Sequence, residues 1–200
     1  RCPRESGPRA RRQRDVSPAR PPGVSEITVV AHRGFAGRYP ENTVAALRAA
    51  AAAGADAVEL DAVPTADGTP VVFHDDRLDD LTDATGPVWE TPTDRVCGAE
   101  VLASGHRVPT LSAAVAAVPD DTLVNVELKN PGTTAIRPGE RLGADDRPAA
   151  RERWGPFVDR VLDVLDGVGN DLLVSAFCEG ALAAVRARSA RPPAAGARRG

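Results

Sequence analysis

Residues 56–61 read Asp-Ala-Val-Glu-Leu-Asp, and residues 122–129 read Thr-Leu-Val-Asn-Val-Glu-Leu-Lys. Both stretches are short and apolar, and each carries ionisable groups at every second position toward its end. In a strand, residues i and i+2 face the same side. Glu59 and Asp61 therefore project together, with Val58, Leu60 and Ala62 on the opposite face. Glu127 and Lys129 likewise project together, with Asn125 one layer below and Val124, Val126 and Leu128 opposite. Three carboxylates converging without a compensating charge resist ionising, and a divalent cation removes that obstacle. Ligands that are all oxygen favour Ca²⁺ or Mg²⁺ over zinc or copper. Glu59, Asp61 and Glu127 are thus the candidate metal ligands.

Outward from these two stretches, strand patterns recur at 27–31, 70–74 and 171–177. The first is a continuous β-branched run, expected to be buried on both faces. Helical patterns lie between the strands. One covers about 43–53, with Asn42 as its cap and Gly54 as its stop. Others cover 110–118, 151–166 and 179–188, and Val158, Val161, Leu162 and Leu165 fall at helical spacing. Strands alternating with helices predict right-handed βαβ units and a parallel α/β sheet. Residues 75–109 are polar with scattered Gly and Pro, and predict an excursion with little regular structure; 131–150 predict a long loop. His32 and Arg33 follow the first strand and His74 ends the third. Four successive strands therefore place ionisable groups at their C-terminal ends, the rim on which parallel α/β folds build their sites.

The length of 200 residues suffices for one domain with a real core. A net charge of −3 conceals a strong asymmetry. Residues 1–23 hold seven Arg against Glu5 and Asp15, 181–200 hold five Arg and no acid, and 24–180 hold 26 acids against 13 bases. An acidic body disfavours a nucleic-acid partner, whose affinity depends on neutralising phosphates. The basic ends, 1–23 and 190–200, are expected to be disordered tails. With no Met in the chain, 1–23 are expected to lie outside the native protein. No run approaches the ~18 apolar residues of a membrane span. Cys2, Cys97 and Cys178 form neither a disulfide framework nor a zinc pattern, which fits a reducing, cytoplasmic location.

The succession His32-Arg33-Gly34, Pro40-Glu41-Asn42-Thr43, Glu59-Leu60-Asp61, Asp67-Gly68, His74-Asp75, Pro109-Thr110-Leu111 and Glu127-Leu128-Lys129 resembles the glycerophosphodiester phosphodiesterase family. The resemblance covers about 28–130 and continues more weakly to Phe177. It implies a TIM-type (β/α)₈ barrel, with about five of eight strands present in 24–189 and an insertion at the mouth over 75–109. A complete barrel usually takes about 250 residues. The activity implied is metal-dependent hydrolysis of small-molecule glycerophosphodiesters to glycerol 3-phosphate and an alcohol such as choline or ethanolamine. In the roles implied, Glu59, Asp61 and Glu127 bind the metal, and His32 and His74 are the general acid and base. Arg33 and Lys129 contact the phosphate, Glu41 orders the site, and Asn42 caps the helix beside it.

There are two departures from the family pattern. Asp80-Leu81-Thr82 stands where the family usually carries an Arg-Thr pair, and the last three barrel strands have no counterpart here. An open sheet is expected to leave strands one and five as edges, so that the chain folds poorly alone, aggregates or needs a partner. Two rival readings accompany the resemblance. One is a sphingomyelinase-D-like enzyme acting on lipid headgroups, against which 40–43 and the Glu127-Leu128-Lys129 strand lean. The other is an inactive remnant or binding module.

Overall fold

The computed structural model describes residues 27–133, 143 and 145–189. The expected tails at 1–23 and 190–200 lie outside the described residues, as do 134–142 and 144 of the expected long loop. The order of elements is β1 (Val30–Ala31), α1 (Val44–Ala52), β2 (Ala57–Pro64), β3 (Pro70–Val72), a 3₁₀ turn (Val88–Glu90), α2 (Thr93–Gly98), α3 (Leu111–Val115), β4 (Leu123–Leu128), α4 (Arg147–Leu165), β5 (Leu172–Ser175) and α5 (Glu179–Ser189).

Strands β1, β2, β4 and β5 form a parallel sheet in that spatial order. Its register sets Glu59 beside Asn125 and Asp61 beside Glu127. Side chains alternate as the period of two requires. Val58, Leu60, Ala62, Val124, Val126 and Leu128 pack into one core against the helices. That core draws Leu47 from α1, Leu111 and Val115 from α3, and Trp154, Phe157, Val158 and Val161 from α4. The apolar face is thereby spent on helix packing, which leaves the polar set free for the opposite face.

The third strand departs from the predicted parallel order. β2 runs three residues beyond Asp61, turns at 65–69, and β3 returns antiparallel with Val72 opposite Ala62 and Pro70 opposite Pro64. Gly68 takes φ +74 in this turn, a conformation in which a side chain is strained. The Phe73 amide donates to the Asp61 carbonyl at 3.0 Å. The hairpin thus brings His74 back to the sheet's C-terminal rim from the other direction.

Residues 75–109 are also more ordered than their composition predicts. They form a unit with its own core of Val63, Val71, Phe73, Leu78, Val88, Val96, Val101 and Val108. Its backbone is tied by isolated bridges, Arg77 to Pro87, Thr82 to Val101 and Glu100 to Arg107. Burial of scattered apolar residues against the β2–β3 hairpin replaces the periodic patterns that sequence reading relies on.

Asn42 does not cap α1. Thr43 does: it has φ −99° and ψ 155°, and its hydroxyl accepts from the Ala46 amide. Asn42 sits at φ +58° with its side chain turned toward Asp61. β1 is shorter and more exposed than expected, with Val29 56% and Val30 50% accessible. The reason is its place at one edge of the sheet. β5 forms the other edge and leaves Leu173 52% accessible. Strands one and five are therefore the edges, as the strand count predicts.

Candidate active site

Asp61 lies at the centre of the polar face and is fully buried. The Asn42 amide donates to its Oδ2 at 2.8 Å, and the Asp61 backbone N–H donates to Asn42 Oδ1 at 3.2 Å. One buried side chain therefore grips both the carboxylate and the backbone of Asp61. The same loop brings in Arg33, whose Nη1 donates to Glu41 at 2.8 Å and whose Nε lies 3.4 Å from Asp61 Oδ2. Burial opposes the Arg33 charge, but Glu41, Asp61 and Glu59 outweigh it and hold the guanidinium above its ordinary value.

Carboxylate oxygens of Glu59, Asp61 and Glu127 lie within 4.8 Å of one another. Glu59 is 5% accessible, and the Glu127 side chain is 12% accessible. Lys129 donates to Glu127 at 2.7 Å and stands 3.4 Å from Asp61 Oδ1 without a hydrogen bond. Burial pushes the Glu59 carboxyl up to about 7, and the Asp61 and Glu127 charges push the same way; the Arg33 amide donating to Glu59 Oε2 at 2.8 Å pulls against them.

The donor set fits a hard cation. Glu59 Oε1 and Asp61 Oδ1 are buried and lack any hydrogen-bond partner. Buried carboxyl oxygens without a hydrogen bond are costly. Two of them pointing into one carboxylate cluster are what oxygen ligands to such a cation look like.

His32 Nε2 is 3.9 Å from Glu59 Oε2, and its side chain is 69% exposed. His74 lines a cavity of about 730 Å³ together with Asp75, Glu127, Lys129 and Phe177. Lys129 connects this cavity to the buried carboxylates and sits 5.8 Å from the centre of the Phe177 ring. The fold therefore gathers every residue singled out from the sequence near one rim. It adds two that sequence reasoning passed over. Asp75 is bonded to His74, and Phe177 is 71% exposed on the cavity wall. Phe177 could have been found from its position just beyond a strand's C-terminal end. Asp75 stood inside a quoted motif, without a role.

The model of the glycerophosphoryl diester phosphodiesterase family matches residues 32–194. The chain belongs to this family. The family fold is the TIM barrel, and the described residues form an open sheet that is parallel apart from β3. A glycerophosphodiester phosphodiesterase of Caldanaerobacter subterraneus is 38% identical over 109 residues, covering 51% of this chain and 45% of that protein. Human glycerophosphodiester phosphodiesterase 1 is 41% identical over 98 residues, covering 45% of this chain and 30% of that protein. An Oleispira antarctica phosphodiesterase, solved with its product sn-glycerol-3-phosphate, superposes with a TM-score of 0.65 at 29% identity, covering 80% of this chain and 62% of that one. The family member described here thus spans less than half the length of these curated relatives. Among its described residues no helix is long and apolar enough to cross a membrane.

Proposed function

We propose that this chain carries the reaction centre of a metal-dependent hydrolase that cleaves glycerophosphodiesters to glycerol 3-phosphate and an alcohol, within glycerol and lipid metabolism. The observation that carries the reading is the meeting of Glu59, Asp61 and Glu127, two of whose buried oxygens lack a hydrogen bond. Family membership and the product bound by the Oleispira relative support the substrate class. Residues 24–189 would act as the barrel portion, with 75–109 over its mouth. Cys97 is a free thiol, in keeping with a cytoplasmic site of action.

Glu59, Asp61 and Glu127 would hold Ca²⁺ or Mg²⁺. When bound, the cation supplies positive charge against the phosphoryl oxygens as negative charge builds on them. Arg33 and Lys129 add cationic charge on either side of Asp61 and orient the phosphate. Glu41 fixes the Arg33 guanidinium, and Asn42 fixes Asp61. His74 and His32 exchange protons with the attacking and leaving oxygens.

The test is release of glycerol 3-phosphate from glycerophosphocholine, with sphingomyelin and lysolipid as competing substrates. Turnover is expected with Ca²⁺ or Mg²⁺, to be lost in EDTA and restored by adding the ion back. Equal turnover in EDTA, or turnover of sphingomyelin alone, would sink the reading.

The affinity for the ion should depend on pH. Without metal, Glu59 keeps its proton up to about 7, against 4.5 ordinarily. Binding must displace that proton. Affinity is therefore expected to rise with pH and level off above about 7, being about tenfold weaker at pH 6 than at pH 8. Calorimetric titration with Ca²⁺ at the two pH values checks this, and a flat response would contradict it.

A further inference from the structure

We infer that Asp75 is the positioning residue for His74: its carboxylate holds the His74 Nδ1–H, so that the neutral ring presents the Nε2 lone pair to the substrate and takes up a proton there. The inference rests on the phosphodiesterase reading of the site and adds a role to a residue without one.

The two side chains are neighbours in sequence, yet they meet ring to carboxylate, with Asp75 Oδ1 2.5 Å from His74 Nδ1. The two atoms are within hydrogen-bonding distance. An ionised carboxylate can only accept, so the hydrogen lies on Nδ1. The tautomer of a neutral histidine is set by the partner of one nitrogen, and the other nitrogen is left as the acceptor. Among the described residues Nε2 of His74 has no hydrogen-bond partner. Both residues line the cavity that also holds Glu127 and Lys129.

His32 differs in kind. It is 69% exposed, its nearest acid stands 3.9 Å away on the Nε2 side, and among the described residues nothing holds its Nδ1. Of the two imidazoles, only His74 is fixed in ring plane and in tautomer. His74 is thus the one built to accept the first proton. In that step the O–H bond of the attacking water or hydroxyl breaks, its electron pair forms the new bond to phosphorus, the proton joins Nε2, and the P–O bond to the departing alcohol breaks with its pair on that oxygen. The ring then carries a positive charge facing the Asp75 carboxylate. The proton leaves later, to the departing oxygen or to solvent.

The test is tautomer measurement by ¹⁵N-detected NMR on the full chain, whose three histidines are few enough to assign. At a pH where the rings are neutral, His74 is expected to be mainly the Nδ1–H tautomer. In Asp75→Ala it should shift toward the Nε2–H form, with the His32 signals unchanged. In parallel, kcat on glycerophosphocholine should fall about tenfold or more with KM within twofold. A wild-type His74 that is mainly Nε2–H, a tautomer unmoved by Asp75→Ala, or a loss confined to KM would overturn the inference. The spectra need no turnover. A chain inert toward glycerophosphodiesters would defeat the functional reading and leave the tautomer to be decided separately, and the wild-type spectrum alone decides it should the variant not fold.

Discussion

Glu59→Gln is expected to lower phosphodiester hydrolysis by roughly 10³-fold, the equivalent of about 4 kcal/mol, while raising the stability of the metal-free protein at pH 8. The opposed signs follow from one carboxylate. With a cation bound, Glu59 supplies a ligand oxygen and part of the charge that holds the ion. Without it, Glu59 is a buried acid whose carboxyl is pushed from 4.5 up to about 7 by burial and by Asp61. The folded protein then binds more protons than the unfolded chain between those two values. Its stability therefore falls as pH rises through that window and stays low above it. The penalty is on the order of 3 kcal/mol above pH 7, and Gln removes most of it. Calorimetric melts in EDTA at pH 8 and pH 4.5 check the stability arm, with the gain expected only at pH 8. A variant that melts lower at pH 8 in EDTA, or that binds Ca²⁺ as tightly as the wild type, would refute this account of Glu59.

Gly34→Ala is expected to destabilise the protein by at least about 3 kcal/mol. Gly34 has φ +76, and a Cβ there would stand 2.6 Å from the Ala46 carbonyl carbon and 2.8 Å from the Leu47 amide nitrogen. Both are backbone atoms of α1, which cannot swing aside as a side chain can. The next residue is already bonded to the helix, its amide donating to the Ala46 carbonyl at 2.9 Å. Making room would mean lifting the whole loop from α1, and with it His32, Arg33 and Asn42. Urea unfolding should show a large drop in midpoint, together with weaker Ca²⁺ binding. A midpoint equivalent to less than 1 kcal/mol of change would mean that the loop yields more easily than its contacts imply.

Much of this site was legible in the sequence because strand periodicity is rigid. Asn125, Glu127 and Lys129 had to share a face once Val124, Val126 and Leu128 were given to the helices, and the burial of β4 alternates in that way. The same logic placed Glu59 beside Asp61. Direction was harder to read. Three residues of β3 fit a parallel or an antiparallel strand equally well, and the Asp67-Gly68 turn was the only sign of a hairpin. The helix start was ambiguous because Asn42 and Thr43 are both good caps. The choice was made by Asp61, which claims the Asn42 side chain from another strand and leaves capping to Thr43. The core of 75–109 was hidden for a different reason. Leu78, Val88, Val96, Val101 and Val108 follow no period, since bridges and turns set their spacing rather than a helix or a long strand.

The antiparallel return of β3 works as a measuring jig. Phe73 pairs with the Asp61 carbonyl however far the two arms travel beyond that point, so the height of His74 above the carboxylates is independent of the length of the tip. Lengthening both arms by matching pairs of residues would leave the imidazole where it is. A single residue added to one arm would slip the pairing and turn His74 to the other face. Natural variation in this segment should therefore come in balanced increments, and grafts at 65–69 offer a way to reshape the entrance without disturbing the spacing of the reacting groups.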